Sequence, residues 1–154
     1  MITQRSLDIH DYLASRLNTP EEVQHAVRVA SKVEADTGDE NYYQVALLHD
    51  VIEDGYTTMD RLVKAFDLSE QQAVALDAIT RREDEKYFDY ILRVKRNPMA
   101  KVIKLSDLYD NIKCCAEDLD SRWGLLSRYA KAYAILTDKW DNSHTFSAGS
   151  KDIK

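Results

Sequence analysis

Two imidazoles and a cluster of carboxylates are the groups in this sequence with chemistry to offer. The stretch Ala46-Leu47-Leu48-His49-Asp50-Val51-Ile52-Glu53-Asp54 starts apolar and ends with four ionisable side chains in six positions. Val45 to Leu48 reads as a buried helix turn, and burying unpaired charge at its end would be costly. Helical spacing sets His49 and Glu53 four apart and Asp50 and Glu53 three apart, on one face. One imidazole and three carboxylates converging there suit a divalent metal, with a spare acid for proton transfer. The same residues are equally compatible with a solvated helix end.

His25 and Asp107 bear on that choice. His25 adjoins the apolar stripe of the preceding helix, where a lone histidine is ordinarily a packed core residue. One short loop separates that helix from His49-Asp50, so the two can lie as antiparallel neighbours. Lys104, Asp107 and Asn111 recur at i, i+3 and i+7, one polar line on a largely apolar helix. Alone, such a line reads as a solvated face. Two imidazoles and two carboxylates together suit Mn²⁺, Fe²⁺ or Zn²⁺ better than a thiolate-preferring metal. Four protein ligands leave positions open for water and a phosphate oxygen, and a metal acidifies its water and neutralises phosphoryl charge. Glu53, if not itself a ligand, can take the water proton. Arg81, Arg82, Lys101 and Lys104 are the nearest cations in sequence and could clamp phosphates. Each also reads as a surface charge, Lys104 least so because it shares a face with Asp107.

The elements that must position these groups are helical almost throughout, since glycine and proline number four and two. Leu7, Ile9, Tyr12, Leu13 and Leu17 mark a short first helix. Thr19-Pro20-Glu21-Glu22 is a helix start, with a capping hydroxyl, proline at the first helical position and acids in the first turn. The helix that follows carries Val23, Ala26, Val27, Ala30 and Val33 to about residue 36, and Gly38 suits its stop. A central helix is expected over 41–52, ending near Gly55. Thr58 caps a short helix over 59–66, and Ser69-x-x-Gln72 is a capping box opening a helix through Val74, Leu76 and Ile79. Residues 80–84 read as a polar loop. A helix over 84–95 carries Tyr87, Phe88, Ile91, Leu92 and Val94. Asn97-Pro98 opens another, over 98–115. The last, over 121–140, is expected to turn Trp123, Leu126, Tyr129, Tyr133 and Leu136 inward. Residues 142–154 read as a polar tail after a single domain over 1–141.

A chain of 154 residues is expected to form one domain. Its net charge of −6 argues against a nucleic-acid or anionic-membrane binder, which needs a basic surface. No apolar run approaches a membrane span of about 20 residues, and the first ten residues hold no signal-peptide core. Cys114 and Cys115 are adjacent and read as two helix thiols in a reducing cytoplasm. A small anionic substrate remains compatible with the acidic balance. Oligomeric state is left open.

The order His25, His49-Asp50, Glu53-Asp54, Asp107 resembles the HD superfamily of metal-dependent phosphohydrolases. Residues 46–54 resemble the HD-x-x-ED signature of RelA/SpoT-type alarmone hydrolases. Val102-Ile-Lys-Leu-Ser-Asp-Leu-Tyr-Asp-Asn111 resembles their V-x-K-L-A-D-x-x-x-N segment. Ile79-Thr-Arg-Arg82 and Tyr87-x-x-x-Ile91 sit where related small proteins have a T-R-R and a Y-x-x-x-I. The resemblance covers about residues 25–129. It implies an all-α, HD-type bundle of seven or eight helices that removes pyrophosphate from the 3′ position of guanosine tetra- or pentaphosphate, using Mn²⁺. It also implies His25, His49, Asp50 and Asp107 as metal ligands, with Glu53 and Asp54 handling the attacking water. Lys104, Asn111, Arg81, Arg82 and Tyr87 are then expected near the substrate. Two departures stand out. Residues 17–22 lack the basic loop that precedes the first histidine in larger members, and Leu108 replaces the arginine of their Ala-Asp-Arg. Both bear on guanine preference more than on phosphate chemistry. A different HD phosphohydrolase, acting for example on nucleoside monophosphates, and a non-catalytic metal- or nucleotide-binding module are the alternatives.

Overall fold

The computed structural model describes residues 2–139, and the expected tail at 142–154 lies outside them. Among the described residues the chain forms eight α-helices and no strand. They are α1 (Gln4–Arg16), α2 (Pro20–Thr37), α3 (Glu40–Leu47), α4 (Met59–Phe66), α5 (Glu70–Ile79), α6 (Tyr87–Lys95), α7 (Pro98–Ala116) and α8 (Leu119–Leu136).

The helix starts follow local chemistry. Thr19 and Ser69 each form a reciprocal capping box, with Glu22 and Gln72, and Thr58 and Asn97 accept cap bonds from Arg61 and Ala100. Gly38 ends α2 in the left-handed region at φ 66°, the conformation a glycine adopts without a Cβ penalty.

Helices α2, α3 and α7 pack against one another, and α7 also contacts α5, α6 and α8. The core between them is apolar and sealed. Val29, Ala30, Val33, Val45, Ala46, Leu48, Ile103 and Leu108 have no exposed surface. Burying one such leucine is worth about 1.5–3 kcal/mol. The Ser106 hydroxyl donates 2.9 Å to the Val29 carbonyl, tying α7 to α2 beside Asp107. A buried polar chain fixes α3 from its other side. Gln72 donates 3.0 Å to Gln44, which donates 3.1 Å to Ser6, which donates 2.7 Å to Glu40.

Three expectations need correction. The central helix stops at Leu47, and residues 48–56 are a run of tight turns. The cause is His49, whose Nδ1–H donates 2.8 Å to the Ala46 carbonyl, the acceptor that a continuing helix would offer to Asp50. His49, Asp50 and Glu53 therefore share no helix face. Second, α8 ends at Leu136, and on it Trp123 is 65% and Tyr133 40% exposed, so neither faces inward. Residues 119–125 are exposed, and the buried positions are Ala132, Ile135 and Leu136 near its end. Third, α6 begins at Tyr87 rather than at residue 84, because residues 82–85 form a turn closed by the Glu85 N–H, which donates 3.2 Å to the Arg82 carbonyl. Leu7, Val74 and Leu92 also prove about half exposed, each on the outer face of an amphipathic helix.

Candidate metal centre and flanking cavities

The interface of α2 and α7 with the turns after α3 brings together the four residues whose order marked the sequence. One potential ligand atom from each of His25, His49, Asp50 and Asp107 lies within 4.8 Å of all the others. His25 Nε2 is 3.0 Å from Asp107 Oδ1 and 3.7 Å from Asp50 Oδ2. His49 Nε2 is 3.1 Å from Asp50 Oδ2 and 3.4 Å from Asp107 Oδ1. The polar line on α7 is not a solvated face, since Asp107 is 3% exposed and Lys104 donates 2.7 Å to it. Asn111 also donates to Asp107, at 3.1 Å.

Both histidines have their far nitrogen engaged, which leaves Nε2 aimed at the cluster. His49 Nδ1–H is bound to the Ala46 carbonyl, and His25 Nδ1–H donates 2.7 Å to Asp110 Oδ2. Fixing the tautomer through the outer nitrogen is how metal-ligating histidines are ordinarily held. Asp110 is in turn held by Arg28, through Nε at 2.8 Å and Nη2 at 3.0 Å. His49 Nε2 is buried and has no hydrogen-bond partner among the described residues, although two carboxylates lie close. A buried orphan nitrogen among carboxylate oxygens is the arrangement a cation would complete.

The electrostatics agree. Burial disfavours the His49 imidazolium, yet the Asp50 and Asp107 carboxylates together outweigh it and lift the pKa well above the usual value. Burial would likewise raise Asp107, but the Lys104 ammonium and the histidines hold its carboxyl well below the carboxylate range. Positive charge is stabilised at this spot, whether carried by protons or by a metal ion. Nitrogen and oxygen donors without thiolate fit a divalent metal of the Mn²⁺, Fe²⁺ or Zn²⁺ kind.

Two cavities flank the cluster, both lined by His25 and Asp50. One, of about 230 Å³, is walled by Glu53, Arg81, Lys104, Asn111 and Arg128, with Tyr87 at its side. Glu53 is held there by the Arg81 backbone N–H, which donates 3.1 Å to Oε1. The other cavity, of about 250 Å³, contains Asp54. Burial, helped by the charges of Asp50, Glu53 and Glu22, raises the Asp54 carboxyl to about 6. Adjacent in sequence, Glu53 and Asp54 thus face different cavities. The two are successive positions of the turn over 50–54, which the Asp54 N–H closes by donating 2.9 Å to the Asp50 carbonyl, and successive side chains of such a turn diverge.

The substrate-side residues divide in the same way. Lys104, Asn111, Arg81 and Tyr87 line the first cavity together. Arg82 stands apart, donating instead to Asp77 and to the carbonyls of Asp77 and Thr80 at the end of α5. Lys101 does not line this cavity either. Sequence reasoning missed two residues. Asp110 could have been found from its spacing, one turn beyond Asp107 as Arg28 is one turn beyond His25. Arg128 had no local signal. Its guanidinium carbon lies 3.6 Å over the Tyr87 ring, and its buried Nε has no hydrogen-bond partner among the described residues.

No protein-family model matches the chain, and no curated protein sequence does. Among solved structures the fold is similar to one described as a metazoan ortholog of SpoT that hydrolyzes ppGpp and plays a role in starvation responses. The TM-score is 0.71 at 22% sequence identity, covering 88% of this chain and 86% of that chain. The helical architecture is therefore the HD-type fold that the sequence motifs implied. No helix among the described residues is long and apolar enough to cross a membrane.

Proposed function

We propose that this protein is a metal-dependent phosphohydrolase that removes the 3′-pyrophosphate from guanosine 3′,5′-bis(diphosphate) and related nucleotides. The observation that carries the reading is the junction of a two-histidine, two-aspartate cluster with a cavity walled by Arg81, Lys104 and Arg128. In this reading His25, His49, Asp50 and Asp107 hold one divalent ion, most simply Mn²⁺. When bound, it supplies Lewis acidity toward a phosphoryl oxygen and lowers the pKa of water.

The chain's own residues do the rest. Lys104, Arg81 and Arg128 draw the diphosphate into the cationic cavity and absorb charge as the phosphorus–oxygen bond to the ribose breaks. Glu53, oriented by the Arg81 N–H, accepts a proton from the attacking water. Asp54, raised to about 6, lies across the cluster and can hand a proton to the departing 3′ oxygen near neutral pH. The products are then pyrophosphate and the nucleoside 5′-diphosphate. The fold similarity to a structure described as hydrolyzing ppGpp supports the same reading.

The test is pyrophosphate release from the guanosine compound and its adenosine analogue with Mn²⁺ present. Residues 17–22 offer no basic loop to read guanine, so cleavage of the two is expected within about ten- to hundredfold. Pyrophosphate from neither, alongside phosphate from a nucleoside monophosphate, would assign a different HD phosphohydrolase reaction. Binding without turnover of any nucleotide would leave a non-catalytic module.

A further inference from the structure

The cluster sits between two cavities of opposite character. Arg81, Lys104 and Arg128 supply the charge of one, against the single carboxylate of Glu53 outside the ligand set. The other is walled by apolar Leu17, Ala26, Leu47 and Val51, and its remaining side chains outside the ligand set are all acidic: Glu21, Glu22 and Asp54. No lysine or arginine lines it among the described residues.

Glu22 is the firmly held member of the acidic wall. Glu22 accepts 2.9 Å from the Thr19 backbone N–H and 3.0 Å from the Tyr56 hydroxyl, which itself accepts 3.2 Å from the Asn18 N–H. The Thr19 N–H and the Tyr56 hydroxyl favour the ionised form, so the Glu22 carboxyl titrates below its ordinary range and stays charged. No cation pairs with it among the described residues. The cavity thus presents fixed negative charge over apolar walls, and both His25 and Asp50 open onto it. An anion entering from the cluster would meet uncompensated repulsion, whereas an uncharged ring bearing N–H donors would meet apolar contact and carboxylate acceptors.

We propose that this second cavity receives the uncharged end of the substrate, and that Glu21 and Glu22 determine specificity by excluding further phosphate groups from it. The inference rests on the phosphohydrolase reading above and narrows its substrate class. The favoured substrate carries its phosphate on one side of the scissile bond, and added phosphate on the other side brings no gain.

The experiment uses the Mn²⁺-loaded protein and three guanosine 3′-diphosphates, with hydroxyl, monophosphate or diphosphate at the 5′ position. Pyrophosphate release gives kcat/KM for each. Calorimetry with guanosine, GMP and GDP gives binding without turnover. The wild-type protein is expected to cleave the 5′-hydroxyl compound at least as well as the 5′-diphosphate. In Glu21→Lys/Glu22→Gln, which keeps a glutamine acceptor for the capping box, the 5′-diphosphate member should gain about tenfold relative to the 5′-hydroxyl one. GDP should gain on guanosine in the same sense, and both gains should shrink at high salt.

A wild-type preference of tenfold or more for the 5′-diphosphate overturns the proposal, as does an unchanged ranking in a double variant of native melting temperature. If the double variant does not fold, Glu21→Lys alone replaces it, because Glu21 is exposed. The same reversal is then expected at smaller size, and its absence is equally decisive. No pyrophosphate from any of the three compounds would overturn the enzymatic reading instead. The calorimetric ranking of guanosine and GDP would still decide the sign of the cavity.

Discussion

Asp110 Oδ2 accepts a 2.7 Å hydrogen bond from His25 Nδ1, joining α7 to α2 on the outer side of the ligand cluster. The bond sets which histidine nitrogen carries the proton and leaves Nε2 facing Asp107 and Asp50. Arg28 holds the same carboxylate with two further bonds, and this pairing keeps Asp110 ionised below its usual range despite burial.

Loss of that orientation should be felt first in metal affinity. Asp110→Asn is expected to weaken Mn²⁺ binding by about 10–100-fold, the usual cost of removing an outer partner of a ligating histidine. Arg28→Ala should act in the same direction and less strongly. Isothermal titration with Mn²⁺ measures both, and affinity equal to wild type in Asp110→Asn would mean that His25 needs no such anchor.

Glu53→Gln separates binding from chemistry. The amide keeps an acceptor for the Arg81 N–H but cannot take a proton. Turnover is expected to fall by a factor of about 10²–10⁴ with metal affinity nearly unchanged. Wild-type turnover across the pH range in this variant would remove Glu53 from the role of base.

Arg128, a planar cation over the Tyr87 ring, lines the cavity, and its buried Nε has no hydrogen-bond partner among the described residues. Arg128→Ala should reduce kcat/KM by about 10–100-fold, the worth of a charge-assisted hydrogen bond to phosphate. Arg128→Lys should recover little, because an ammonium neither stacks on the ring nor presents a planar fork. Full recovery by lysine would show that only the charge matters.

Glu85 gives the fold a defined acid response. Hydrogen bonds from Arg93 lower its carboxyl from 4.5 to about 2. A depressed folded pKa contributes stability that is present above pH 4.5 and is lost as pH falls toward 2. Partial exposure screens the pair, so Glu85→Gln is expected to lower the melting temperature at pH 7 by about 2–4 °C, as about 1 kcal/mol would in a chain of this size. The difference should vanish near pH 2. Parallel melting curves for the two proteins from pH 7 to pH 2 would contradict the assignment.

Local chemistry carried much of the fold, and the helix starts at Thr19, Thr58, Ser69 and Asn97 are where capping residues announced them. Caps act over one turn, so the chain needs no distant partner to state them. His25, His49, Asp50 and Asp107 stood out through their order along the chain, which resembles a known motif; only for His49 and Asp50 did adjacent apolar residues also promise burial, which demands partners. Tertiary structure alone decided how they meet. The helix expected through Ile52 yields at Leu47 because His49 binds the Ala46 carbonyl, a side-chain bond that competes with the backbone only once His49 is packed against α2 and α7. In the turns beyond that early stop, Glu53 and Asp54 line different cavities. The contact of Asp107 with His25, the anchoring of His25 by Asp110 and the stacking of Arg128 on Tyr87 are likewise contacts between groups far apart in the chain, of which helical periodicity holds no record.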